Sequence, residues 1–161
     1  DIWILIKFKG IGEAKAISII AAMELGKRRQ KSDTHEKVKI TNSKDSYNYI
    51  QAYISDLQHE EFFVLFLNRA GRIIHAQTMS SGGVSGTVVD IRMILKVALE
   101  KLASSIILSH NHPSGNLQPS QEDIKLTQKL KQAAIQMDIN VQDHLIVGEN
   151  SYYSFADEGM M

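Results

Sequence analysis

The residues best suited to chemistry stand close together: His110-Asn111-His112-Pro113, six intervening residues, then Ser120-Gln121-Glu122-Asp123. Two histidines at i and i+2 of an extended segment turn their rings to the same side, so both can reach one metal ion. Neutral imidazole suits zinc. Asp123, in the first turn of the helix that follows, can supply a carboxylate as a third ligand. Three protein ligands leave a fourth position for water, which is what separates a catalytic zinc from a structural one. Each piece also has a plainer reading. Ser120-x-x-Asp123 matches a capping box, in which the two side chains satisfy backbone N–H groups at a helix start. A single loop histidine is more often a surface or hydrogen-bonded group than a ligand. Capping, however, does not require a His-x-His-Pro turn directly after an apolar strand. The combination argues for a metal site.

Other patterns fail. His59-Glu60 opens like the zincin signature His-Glu-x-x-His, but position 63 is Phe. The letters His-Asn-His are those of the HNH nucleases, whose three residues are instead spread over a longer ββα unit. The chain has no cysteine, which excludes disulfides, thiolate nucleophiles, iron–sulfur clusters and the Pro-Cys-x-x-Cys segment of zinc deaminases. Any zinc must therefore be held by nitrogen and oxygen. Gly10-Ile11-Gly12 lacks the third glycine of a dinucleotide fingerprint, that position being Lys15. Gly82, Gly83 and Gly86 lack the Gly-Lys-Ser/Thr of a phosphate loop and read as a connection near the site. Asp143 and His144 read as a hydrogen-bonded core pair with some capacity to orient the site, and His35 and His75 as incidental.

The elements that must position these residues follow from periodicity. Asp1 to Lys9 is apolar and is broken by Gly10-Ile11-Gly12. A helix follows from Glu13, with Ile17, Ile20, Ala21 and Leu25 at helical spacing, ending at Gly26 and the cations Lys27, Arg28, Arg29 and Lys31. A polar linker covers 32–40, and 41–161 forms the main domain. In it, Ser43 or Asp45 caps a helix carrying Ile50, Ile54 and Leu57. Strands at 62–67 and 72–79 flank the turn Asn68-Arg69-Ala70-Gly71, and a Gly/Ser loop fills 80–86. Asp90 caps an amphipathic helix with Ile91, Ile94, Leu95, Ala98, Leu99 and Leu102 on one face. A buried strand at 104–109, the loop 110–119, a helix from 120 to about 137 and strands at 139–147 and 151–155 complete the chain. The expected class is α+β (α/β-like), a mixed β-sheet flanked by helices, preceded by a short helical segment.

With 161 residues, 43% hydrophobic and 22% charged, the composition is that of a soluble globular domain with a small appendage. No apolar run reaches the roughly 18 residues that span a bilayer, and no signal-peptide pattern is present, so a cytoplasmic protein is expected. The 18 basic and 18 acidic residues cancel only on average. Residues 1–44 hold ten Lys and Arg against five acids, and 45–161 hold eight against thirteen, a basic arm on an acidic domain. The abrupt start suggests that the first unit is part of a longer one.

The pattern His-x-His-Pro, six residues, then Ser-x-x-Asp resembles the JAMM motif of MPN-domain zinc metallopeptidases. His110 to Asn116, with Pro119, Ser120 and Asp123, resembles more specifically the bacterial RadC-like proteins, and Asp143 to Gly148 resembles their closing strand. The resemblance covers about residues 40–157. Gly10-Ile11-Gly12 to Arg29 is similar to part of their N-terminal helix-hairpin-helix unit. It implies an MPN/JAMM (cytidine-deaminase-like) fold and a Zn2+ held by His110, His112 and Asp123. It also implies a catalytic glutamate on an early strand. Glu-x-Phe followed by apolar residues assigns that role to Glu60; Glu61 beside it faces the other way. Ser120 would hydrogen-bond the oxyanion, and the reaction would be hydrolysis of an amide or isopeptide by metal-activated water on a peptide or protein substrate. Asn111 stands where most JAMM peptidases carry Ser or Thr, as is usual in the RadC-like branch. Two alternatives accompany this expectation. One is a DNA-binding protein, matching the family's DNA-repair label, that grips phosphates through the Gly10–Gly12 turn with Lys15. The other is a zinc-bound scaffold without turnover.

Overall fold

The chain divides at residue 36 into two units, and the computed structural model describes residues 2–33, 38–81 and 89–161. The first unit carries α1 (Ile2–Leu5) and α2 (Glu13–Asp33). Between them Gly10 adopts φ +88°, a left-handed conformation that glycine enters without a Cβ penalty. Contrary to the expected stop, α2 runs on through Gly26. An interior glycine costs about 1 kcal/mol relative to alanine, and the Lys, Arg and Gln that follow are good helix formers. The helix therefore reaches into the stretch expected to be linker. The division also changes the charge balance. Residues 1–36 hold seven basic against five acidic side chains, and 37–161 hold eleven against thirteen, because Lys37, Lys39 and Lys44 belong to the second unit.

The second unit is tied down from its start: the Ile40 amide donates to the Gly71 carbonyl at 2.9 Å, and the Ile73 amide to Val38 at 2.9 Å. Helix α3 (Ser43–Ile54) is capped by Asn42, one residue before the expected caps; its side chain accepts from the Asp45 amide. The Asp45 carboxylate turns back to the Thr41 amide and hydroxyl instead. There follow β1 (Glu61–Leu67), β2 (Ile73–Ser81), α4 (Ile91–Glu100), β3 (Ser105–Asn111), α5 (Gln121–Ile135), β4 (Asn140–Val147) and β5 (Tyr152–Ser154). The expected loop 80–86 lies, from residue 82, outside the described residues, as does His35.

The sheet order is β2-β1-β3-β4-β5. Its one parallel pair, β3 with β4, is joined across α5, and the others are antiparallel. This is the α+β class with a mixed sheet flanked by helices. One face, carrying Phe62, Val64, Phe66, Ile106 and Leu108, packs against residues of α4 and α5. The other, carrying Phe63, Leu65, Leu67 and Ile107, packs against Tyr47, Ile50 and Ile54 of α3. In α4, Ile94, Leu95 and Ala98 are buried as the pattern predicts. Leu99, still within the helix, and Leu102, past its end at Glu100, are exposed instead. Strand β3 runs two residues further than expected, through His110 and Asn111, because β1 and β4 pair with it to its end. Among the described residues no helix is long and apolar enough to cross a membrane.

Candidate metal centre

Alternation along β3 sorts its side chains. His110 follows Ile106 and Leu108 onto the α4/α5 face, and Asn111 follows Ile107 onto the α3 face. His112 lies just past the strand. Its amide donates to the Val147 carbonyl at 3.3 Å, and its own carbonyl accepts from Gly115, whose φ of +76° closes the turn. Helix α5 then begins with Ser120 as N-cap and Asp123 at the third position, the two linked reciprocally as a capping box. His110 Nε2 is 2.9 Å from His112 Nε2 and 3.4 Å from Asp123 Oδ1. One ligand atom from each of the three residues lies within 4.8 Å of the others. The capping and metal readings of Ser120-x-x-Asp123 meet in one carboxylate. Oδ2 accepts from the Ser120 amide and hydroxyl, both at 2.7 Å, while Oδ1 faces His110.

The protonation states suit a cation. His112 Nδ1 contacts the Asn116 carbonyl; a carbonyl only accepts, so Nδ1 carries the hydrogen and Nε2 a lone pair. That lone pair faces His110 Nε2 at 2.9 Å, a distance met by an N–H of His110 or, where His110 also presents a lone pair, by a cation that both nitrogens ligate. Burial pushes His110 down to about 4; Asp123 acts in the opposite direction and His112 in the same one. The neutral ring is therefore the resting form, the form that ligates metal. Wholly buried, His144 is held well below its usual value, first by burial and then by the two other histidines. Two imidazole nitrogens and one carboxylate oxygen fit the donor preferences of zinc.

Beside this cluster opens a cleft of about 740 Å³ whose walls include His59, Glu60, His112, Pro113 and Ser120. Glu60, half-buried, immediately precedes β1. Glu61 does not line the cleft: its carboxylate accepts from Thr78 Oγ1 at 3.1 Å and Ser81 Oγ at 3.4 Å and meets His59 Nε2 at 2.9 Å. Asn111, missed as a working residue from sequence, is 1% exposed. Its Nδ2 donates to the carbonyls of His59 (2.9 Å) and Leu57 (3.3 Å), and its Oδ1 accepts from the Glu61 amide at 2.8 Å. The residue between the two histidines thus straps the Glu60 segment to the strand carrying them. Its placement between two same-facing histidines, which directs it to the opposite face, was the available signal. His75 pairs with Gln77 Oε1 at 3.1 Å on exposed surface, away from the cluster. In the first unit, Lys15 Nζ donates to the Gly10 carbonyl at 3.2 Å beside the Gly10–Gly12 turn.

Comparison with known proteins matches residues 40–160 to the RadC-like JAB domain. A UPF0758 protein of Flavobacterium johnsoniae is 53% identical over 156 residues, covering 97% of this chain and 68% of that protein. One from Porphyromonas gingivalis is 46% identical over 155 residues, 96% of this chain and 68% of the relative. A third, from Staphylococcus haemolyticus, is 40% identical over the same shares. With a family match across the whole sheet and its helices, and relatives this similar along nearly the full length, the chain belongs to the RadC-like JAB domain family, a JAMM-type family.

Proposed function

We propose that the chain is a zinc-dependent hydrolase of JAMM type that cleaves an amide or isopeptide bond in a peptide or protein, acting in the cytoplasm. The observation that carries this reading is the meeting of His110, His112 and Asp123 beside a cleft that His112, Ser120 and Glu60 line. Zinc at that cluster would supply Lewis acidity at neutral pH. The chain supplies the rest. Glu60 takes the proton from the attacking water and returns it to the leaving nitrogen. Ser120 swings its hydroxyl from Asp123 Oδ2 to the developing oxyanion, a donor worth about 10²–10³ in rate. The Ser120 amide stays on the carboxylate and keeps Asp123 in place.

Metal analysis of the purified chain tests the first part: about one zinc per chain is expected, lost in the His110→Ala/His112→Ala double variant. A wild type without bound zinc sinks the reading. Glu60→Gln, zinc-loaded, separates an enzyme from a scaffold. Hydrolysis of an isopeptide-linked substrate library should fall by at least about 10²-fold, and unchanged turnover would count for the scaffold. A second reading concerns residues 1–36, where the Gly10 turn leads into α2 with Lys15 beside it. Amides at such a turn can meet DNA phosphates. Salt-dependent DNA binding that vanishes on deleting these residues supports contact there; binding indifferent to the deletion removes it.

A further inference from the structure

His144 stands on β4, 34 positions from His110 in sequence, with its Nε2 2.9 Å from His110 Nδ1. Its Nδ1 lies 2.6 Å from Thr127 Oγ1. The Thr127 hydroxyl also donates to the Asp123 carbonyl, one turn back in α5, at 2.7 Å. With a neutral His144, one arrangement of hydrogens makes all three contacts hydrogen bonds. A hydroxyl owns a single hydrogen and a carbonyl can only accept, so the Thr127 hydrogen points at Asp123. Thr127 Oγ1 must then accept from His144, which makes His144 the Nδ1–H tautomer. Its ring is fully buried, edge-on to Phe62 at 5.6 Å and stacked on Phe155 at 4.8 Å. An imidazole so enclosed stays neutral. Its Nε2 therefore carries a lone pair and accepts from His110 Nδ1–H, which leaves His110 Nε2 bare on the side of His112 and Asp123.

We propose that His144 and Thr127 are positioning residues for the metal centre: they lock His110 into the tautomer that presents its Nε2 lone pair to the ion. The lock rests on the metal-site reading above and extends it to residues outside the ligand set. It also closes a ring of contacts. Beginning at His110 on β3, it passes through His144 on β4 and Thr127 on α5, and ends on the backbone of Asp123, the third ligand. Three elements are thereby held in one register around the ion. The buttress behind His144 is built by its neighbour. The Asp143 carboxylate accepts from Ser154 Oγ at 2.6 Å and the Ala156 amide at 3.0 Å. That fastens the segment carrying Phe155, whose own amide donates to the His144 carbonyl. Phe155 stacked against it opposes turning the His144 ring over, which would put carbons where its two nitrogens now stand.

The test uses the full chain with zinc or cobalt as the added metal. Thr127→Val keeps the shape and removes the acceptor; Thr127→Ser restores the hydroxyl. In long-range 1H–15N spectra of the wild type, His144 and His110 should both appear as Nδ1–H tautomers. Zinc affinity, from chelator competition, should fall about 10–100-fold in Thr127→Val, the usual scale for losing an outer partner of a ligand. It should return most of the way in Thr127→Ser. The visible spectrum of the cobalt-loaded Val variant should differ from the wild type, whereas a merely structural role would lower the melting temperature and leave that spectrum alone. Thr127→Val holding zinc as tightly as the wild type, with the same histidine resonances, overturns the proposal. So does His144 found as the Nε2–H tautomer in the wild type, a measurement that stands even if the Val variant fails to fold. A wild type that takes up no zinc overturns the metal-site reading itself. In that metal-free chain the His144 tautomer separately decides the lock, Nδ1–H upholding it and Nε2–H overturning it.

Discussion

Asn111 occupies one position between two candidate ligands yet works on the opposite face of its strand, holding Leu57, His59 and Glu61 by three hydrogen bonds. Truncating it strands two carbonyls and an amide in a buried place. Asn111→Ala should lose about 2–4 kcal/mol by denaturant unfolding while zinc affinity in chelator competition stays near the wild-type value. A wild-type unfolding midpoint would show that the strap carries no load. Asp143 offers a pH test. Burial raises its carboxyl above the ordinary value despite the Ser154, Ala156 and His144 donors. The native state thus binds its proton more tightly than the unfolded chain does. This group's contribution is present below about pH 4, the ordinary Asp value, and is lost as pH rises through the raised one. Compared with Asp143→Asn, the wild type should lose relative stability from about pH 4 upward; a gap that widens in its favour contradicts this. The cluster of His110, His112 and Asp123 was legible in the sequence because its members are close along the chain. The partners of Asn111 and His144 were not, because they lie 50 and 34 positions away and only strand pairing brings them near.

Caps and strand ends decide how the elements present these groups. Ser120 begins α5 and steadies Asp123 at once, so Ser120→Ala should cost about 1 kcal/mol of stability, as loss of an N-cap does. It should also weaken zinc binding; a variant with unchanged zinc affinity would confine Ser120 to capping. In the α4–β3 connection, Leu102 is 85% exposed with φ +53°, a left-handed conformation that costs a branched residue and suits glycine. Leu102→Gly should therefore raise stability by up to about 1 kcal/mol, read as a higher melting temperature, and a lower one would refute the strain argument. Asp90 as the cap of α4 was readable directly, since capping is local. The reach of β3 was not: its last two residues read as loop by composition, and become strand because Phe62 pairs with His110 and Val147 with Asn111.

The division at residue 36 places every candidate catalytic and metal-binding residue in the second unit. Residues 37–161 alone should melt and bind zinc as the full chain does; a large loss of either would mean that the first unit supports the site. The sheet and its flanking helices were foreseen from alternating patterns. The charge asymmetry was overread, because a cut at residue 44 assigned Lys37, Lys39 and Lys44 to an arm that ends before them. The strap at Asn111 has one more consequence, for the chain entropy lost as the site comes together. His110 and Asp123 are 13 positions apart, whereas Asn111 and Glu61 are 50 apart. Closing the longer loop costs about 1.2 kcal/mol more in chain entropy, roughly two doublings of length. The candidate metal ligands are therefore the cheaper group to gather, and the Glu60 segment the costlier one to bring beside them.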